Sequence, residues 1–168
     1  MGIDLAAYPH NPSGVCVLTT KPHLSHAFTD DDLLTTISAH KPLVVAIDAP
    51  FSFPSKGPWR PCELALLKRG FRPLSPLLPS MKPLTERAMA LVPEFRTSIG
   101  VKGQVIEVFA RATEAILGIK RAGGSEHQWD AYLCALTGRA YIDGAYEAVD
   151  GIILPIAGIA MEERIGRG

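Results

Sequence analysis

The sequence predicts an α/β domain built on a mixed sheet, and three observations carry that prediction. Short apolar segments rich in β-branched residues alternate along the chain with segments of helical spacing. One of them, Leu43–Ile47 (LVVAI), is apolar without interruption, as expected of a central parallel strand buried on both faces. The stretch from Phe51 to Gly103 has a different character, with eight of the chain's 14 prolines between or within short helical patterns and Pro50 at its edge, and reads as a helical insert after the fourth strand.

The elements follow in order. Gly2–Ala6 (GIDLA) is a buried strand ending near Asp4, and Asn11–Gly14 (NPSG) is a turn. Gly14–Thr19 supplies a second strand and Leu24–Phe28 a weaker third. Thr29 is suited to cap a helix over Asp30–His40, whose first turn holds three aspartates favoured by the helix dipole. The strand Leu43–Ile47 runs into Asp48-Ala49-Pro50. Within the insert, helices are expected over Pro61–Arg69 and over Leu84–Val92, the second ending before Pro93. Phe51, Phe53, Trp59, Phe71 and Phe95 give the insert apolar surface to bury. Val105–Phe109 is the next strand, Ala112–Leu117 a helix stopped by Gly118, and Ser125 with Gln128 a capping box opening a helix to about Thr137. Asp150-Gly151 turns a hairpin into a last strand, Ile152–Leu154.

With 168 residues, the chain has the length of one domain, 1–168, with the insert at about 51–103 inside it. Its apolar share of 47% and charged share of 20% belong to globular proteins rather than disordered ones. The longest nearly apolar stretch, Gly151–Met161, is too short to span a bilayer, so no membrane partner is expected. No signal peptide is visible, and Cys16, Cys62 and Cys134 are too scattered for a zinc site or a disulfide framework. Three reduced thiols in a cytoplasmic protein is the simpler expectation. The zero net charge hides an asymmetry: the insert has nine basic residues against three acids, a surplus of six. A basic insert beside an acidic remainder suits a site that holds a polyanion next to metal-binding carboxylates; a solvated basic helix face accounts for it equally well.

Four carboxylates share an unusual placement. Asp4, Asp48 and Glu107 lie in or at the end of apolar strands, and Asp130 lies in an apolar helical segment (WDAYLCAL). An unpaired buried carboxylate costs several kcal/mol or shifts its pKa until it is neutral, so such acids need partners. No Lys or Arg is spaced to pair with Asp4 or Asp48, and Mg²⁺ or Mn²⁺ is the natural alternative because both prefer oxygen ligands. Each acid taken singly could instead cap a helix or hold a loop. Glu126 and His127, four and three residues before Asp130, share its helical face and add candidates for a further ligand or a proton-transfer group.

These residues sit in blocks that resemble a known family. GIDLA, LVVAIDAPFSFP, RPCELALLKRG, MKPLTERAMAL, VIEVFARATEAILG and DAYLCALTG follow one another as in the domain of unknown function 429 family, with the similarity extending to GIILP. The chain departs from the family at Ala88, where glycine is frequent after the arginine, and at Ala110, near which the family has proline. The resemblance implies membership of the ribonuclease H-like superfamily: a five-stranded mixed sheet with the first strand central, and acids on the first and fourth strands and the last helix. It implies Asp4, Asp48, Glu107 and Asp130 as the catalytic, metal-holding acids.

The function expected on this reading is a nuclease, a hydrolase that cuts phosphodiester bonds of nucleic acid by a two-metal mechanism with Mg²⁺ or Mn²⁺. Arg60, Lys68, Arg69 and Arg87 are the candidates to bind substrate phosphates. Phosphoryl or nucleotide chemistry on the same fold is a second possibility, though no glycine-rich phosphate loop is present. A non-catalytic module that retains the fold is the third.

Overall fold

The computed structural model describes residues 1–121 and 123–158; positions 159–161 of the apolar Gly151–Met161 stretch lie outside the described residues. Seven strands form one mixed sheet: β1 (Gly2–Asp4), β2 (Ser13–Leu18), β3 (Pro22–Ala27), β4 (Val44–Asp48), β5 (Gln104–Val108), β6 (Tyr146–Val149) and β7 (Ile152–Pro155). Their order across the sheet is β3-β2-β1-β4-β5-β7-β6. Strands β1, β4, β5 and β7 run parallel, flanked by the antiparallel pairs β1–β2, β2–β3 and β6–β7. The α/β class is as the sequence predicts. The sheet is wider than five strands because the Asp150-Gly151 turn joins two strands: β7 extends the parallel run, and β6, for which the sequence reading assigned no element, forms the edge.

Five helices cover the sheet: α1 (Asp30–His40), α2 (Pro61–Lys68), α3 (Lys82–Ile99), α4 (Ala110–Leu117) and α5 (Glu126–Ile142). Helix α1 starts where the sequence places it. Thr29 accepts from the Asp32 amide while the Asp32 carboxylate accepts from the Thr29 amide, closing a capping box. Helix α3 corrects an expectation. It passes through Pro93 to Ile99, because Phe95 and Ile99 beyond the proline are buried in the core and hold the last turns against the sheet. Proline in a helix interior costs about 3 kcal/mol, which burial of Leu91, Val92, Phe95 and Ile99 offsets. Helix α5 likewise runs past Thr137 to Ile142, with Ala140 buried near its end.

The two faces of the sheet are packed differently. On one, Ile3, Val15, Val45 and Ile47 meet Leu33 and Ile37 of α1 and Leu91, Val92, Phe95 and Ile99 of α3. The second helix of the proline-rich segment is therefore part of the main core rather than a lobe apart from it. On the other face α5 lies directly on β1, β2 and β4. A Cβ on Gly2 would come within 2.1 Å of the Ala131 carbonyl oxygen, and one on Gly14 within 1.9 Å of the His127 carbonyl oxygen. Only glycine at both positions permits this approach. Among the described residues, no helix is long and apolar enough to cross a membrane.

Candidate carboxylate site

Strand alternation and register decide which acids meet. Asp4 and Asp48 are register partners on the adjacent parallel strands β1 and β4, so both project to one face at the carboxyl ends of the strands. Gly2, two residues before Asp4, faces α5, and so Asp4 and Asp48 lie on the α5 side. The first turns of α5 bring Asp130 and His127 to the same place. His127 Nδ1 lies 2.7 Å from Asp4 Oδ2, and Asp48 accepts from the Ala110 amide at the start of α4 at 3.3 Å. This amide makes Asp48 in part a helix cap, the bland role available to each acid singly. Asp130 has no such partner: its Oδ1 is buried without a hydrogen bond among the described residues.

Electrostatics mark the trio as strained. Burial, with Asp4 and Asp130 adding like charge, pushes the Asp48 carboxyl from 3.8 up to about 8. Burial also raises Asp4 to about 6, held down by the His127 hydrogen bond and pushed up by Asp130. Asp130 is raised too, by burial, against the pull of Arg111. Buried carboxylates of this kind are either protonated or await a cation.

Glu107 lines one cavity with Asp4 and Asp48 and adds like charge to Asp48, but its side chain starts from the other face of the sheet. Its register partner is Ile47, one residue before Asp48, and alternation therefore sends it to the opposite face. There both of its oxygens are taken by Arg60, at 2.6 Å from Nη2 and 3.0 Å from Nη1, with the Phe51 amide as a third donor at 2.9 Å. Burial raises the Glu107 pKa, and the Arg60 guanidinium, charged throughout the accessible pH range, opposes that rise.

The same contacts revise the expected phosphate binders. Arg60 also donates Nε to Glu63 at 2.7 Å, and it is 6% exposed, so its donors are spent inside the protein. Arg87 donates to Asp30 and to the Ala6 carbonyl, tying α3 to the segment after β1. Arg69 pairs with Glu147 on the edge strand β6, away from the carboxylates. Lys68, at the end of α2, is exposed. The structure instead supplies two cations that the sequence reading did not single out. Arg72 and Arg111, with Arg60, line a cavity of about 540 Å³ whose wall includes Asp4 and Asp48. Arg111 also donates to Glu126. Neither arginine carries a local sequence signal; strand β5, the turn into α4 and the end of α2 bring them there.

The trio suits a hard divalent cation in donor type, since all its ligands are carboxylate oxygens and one of them is orphaned. As the side chains are oriented, no three His, Cys, Asp or Glu residues among those described are grouped around one point as a finished metal cage. Compared with known proteins, the chain matches no protein-family model, no curated protein and no solved structure.

Proposed function

We propose that the chain is a divalent-cation-dependent phosphodiesterase acting on nucleic acid, with Asp4, Asp48 and Asp130 as the residues that hold Mg²⁺ or Mn²⁺. The observation that carries the proposal is the meeting of Asp4, Asp48 and Asp130, whose carboxyl pKa values burial raises and one of which has an unpartnered buried oxygen, beside a cavity lined by Asp4, Asp48, Arg60, Arg72 and Arg111. Support also comes from the strand order, in which β1 lies inside the sheet between antiparallel β2 and parallel β4, as the ribonuclease H-like superfamily requires. The ordered sequence blocks that resemble the domain of unknown function 429 family point the same way.

On this reading each residue has a defined task. A bound cation supplies Lewis-acid polarisation of the phosphate and a water of lowered pKa. Asp4 and Asp48, fixed in register, set the spacing of the ligands, and Asp130 closes the set from α5. His127 orients the Asp4 carboxylate through its Nδ1 contact and can hold a proton at Oδ2. Arg72 and Arg111 neutralise substrate phosphates. Glu107 positions Arg60, which forms part of the cavity wall, and is not assigned to the cation.

The test is a pair of melting curves with a cleavage assay. Mn²⁺ raises the melting temperature of the wild type and not of Asp48→Asn, and only the wild type cuts labelled DNA or RNA. Equal Mn²⁺ shifts in the two proteins would remove the metal site. A shift confined to the wild type without cleavage would favour the non-catalytic or nucleotide-binding module.

A further inference from the structure

The cavity beside the carboxylates has a division of labour that bears on what enters it. Its charged lining residues are Asp4, Asp48, Arg72 and Arg111 together with the mutually paired Arg60, Glu63 and Glu107, while the rest of its wall is apolar. Phe71 and Phe109, both part of that wall, meet edge to face with centroids 6.5 Å apart at 90°. Leu74, also lining the cavity, is 55% exposed, so apolar surface is open to solvent there. Its volume of about 540 Å³ lies in the range of small-molecule pockets, roughly 300–1,000 Å³.

We infer that this cavity receives one unpaired nucleotide, its base against the apolar wall and its phosphate between Arg72, Arg111 and the carboxylates. The inference rests on the phosphodiesterase reading and narrows its substrate to single strands or frayed ends. A nucleobase is the moiety of nucleic acid that gains from an apolar, aromatic wall, because its faces stack and shed water. A base inside a duplex is stacked on both sides and enters only after extrusion, which costs a few kcal/mol. Arg60 does not serve the phosphate, since its donors already meet Glu63 and Glu107. Arg111 lines the cavity and donates to Glu126 in the first turn of α5, so a cation stands where the cavity meets that helix.

The experiment uses adenosine and adenosine 5′-monophosphate without metal, titrated into the full chain and followed by protein NMR. Adenosine is expected to saturate, and Leu74→Glu to weaken it at least tenfold. The monophosphate is expected to bind more tightly than adenosine, with that margin lost in Arg72→Gln. With Mn²⁺, a single-stranded oligonucleotide is expected to be cut at least tenfold faster than the same sequence closed in a hairpin stem. No saturable binding of adenosine, binding unaffected by Leu74→Glu, or equal cutting of strand and stem would each overturn the inference. Because the adenosine titration needs no cation, a missing Mn²⁺ melting shift would count against the metal site alone.

Discussion

Asp48 keeps its place against burial and the like charges of Asp4, Asp130 and Glu107, with one backbone amide in return. Replacing it by asparagine keeps the shape and removes the charge. In the absence of metal at pH 8, Asp48→Asn is expected to stabilise the fold by about 1–3 kcal/mol, raising the melting temperature by roughly 3–10 °C by calorimetry. A lowered melting temperature would mean that the carboxylate is a structural cap. His127 has the opposite role at Asp4, since its hydrogen bond opposes the rise that burial causes. His127→Ala is expected to move the Asp4 pKa upward from about 6, read by carboxyl ¹³C NMR. Asp4, Asp48 and Asp130 were legible in the sequence because a carboxylate inside an apolar run is conspicuous. Glu107 shared that signal, but its face depends on the register of β5 against β4, a long-range fact that local sequence does not encode. Arg72 and Arg111 depend on the same kind of fact.

Among the elements, α5 does most to build the site, and its seat on Gly2 and Gly14 makes that seat testable. Gly14→Ala places a Cβ 1.9 Å from backbone, which no rotamer change relieves. We expect a loss of about 1–3 kcal/mol or more and the disappearance of the Mn²⁺ melting shift. Gly123→Ala meets nothing within 4 Å and is the matched control, expected to leave both unchanged. Helix α3 gives a prediction of opposite sign. Pro93 is exposed inside the helix, so Pro93→Ala restores an amide donor without disturbing the buried face. It is expected to raise the melting temperature, by up to roughly 10 °C if most of the ~3 kcal/mol proline cost is recovered. Capping signals made the starts of α1 and α5 legible. The ends of α3 and α5 were not, because tertiary burial of Phe95, Ile99 and Ala140 extends the helices past the local stop signals.

For the whole molecule, the raised aspartates link stability to pH. Asp48 titrates near 8 and Asp4 near 6 in the fold, against 3.8 as the ordinary value of both. The native state therefore retains protons that the unfolded chain has already released, and stability falls as pH rises from about 4 to about 8. On the proposed function a divalent cation would reverse the order, because it would bind the ionised trio and compete with protons. The Mn²⁺ melting shift is expected to be larger at pH 8 than at pH 5.5; a shift independent of pH would place the ion elsewhere. The α/β class was legible from the rhythm of apolar segments, while strand β6 and the burial of α3 in the main core were not. Both depend on which elements pack together rather than on local pattern.

The direct contact of α5 with the sheet has a consequence for how the molecule could change. With backbone against backbone, the carboxylate spacing is governed by chain geometry rather than by how side chains interlock. The α1 and α3 face is an ordinary packed core, in which residues such as Leu91 and Val92 can be exchanged for others of like volume. The α1 and α3 face can therefore vary without moving the carboxylates on the α5 face. Substitutions accumulating on the α1 and α3 face alter how long the protein survives and leave the carboxylate spacing on the α5 face where it was.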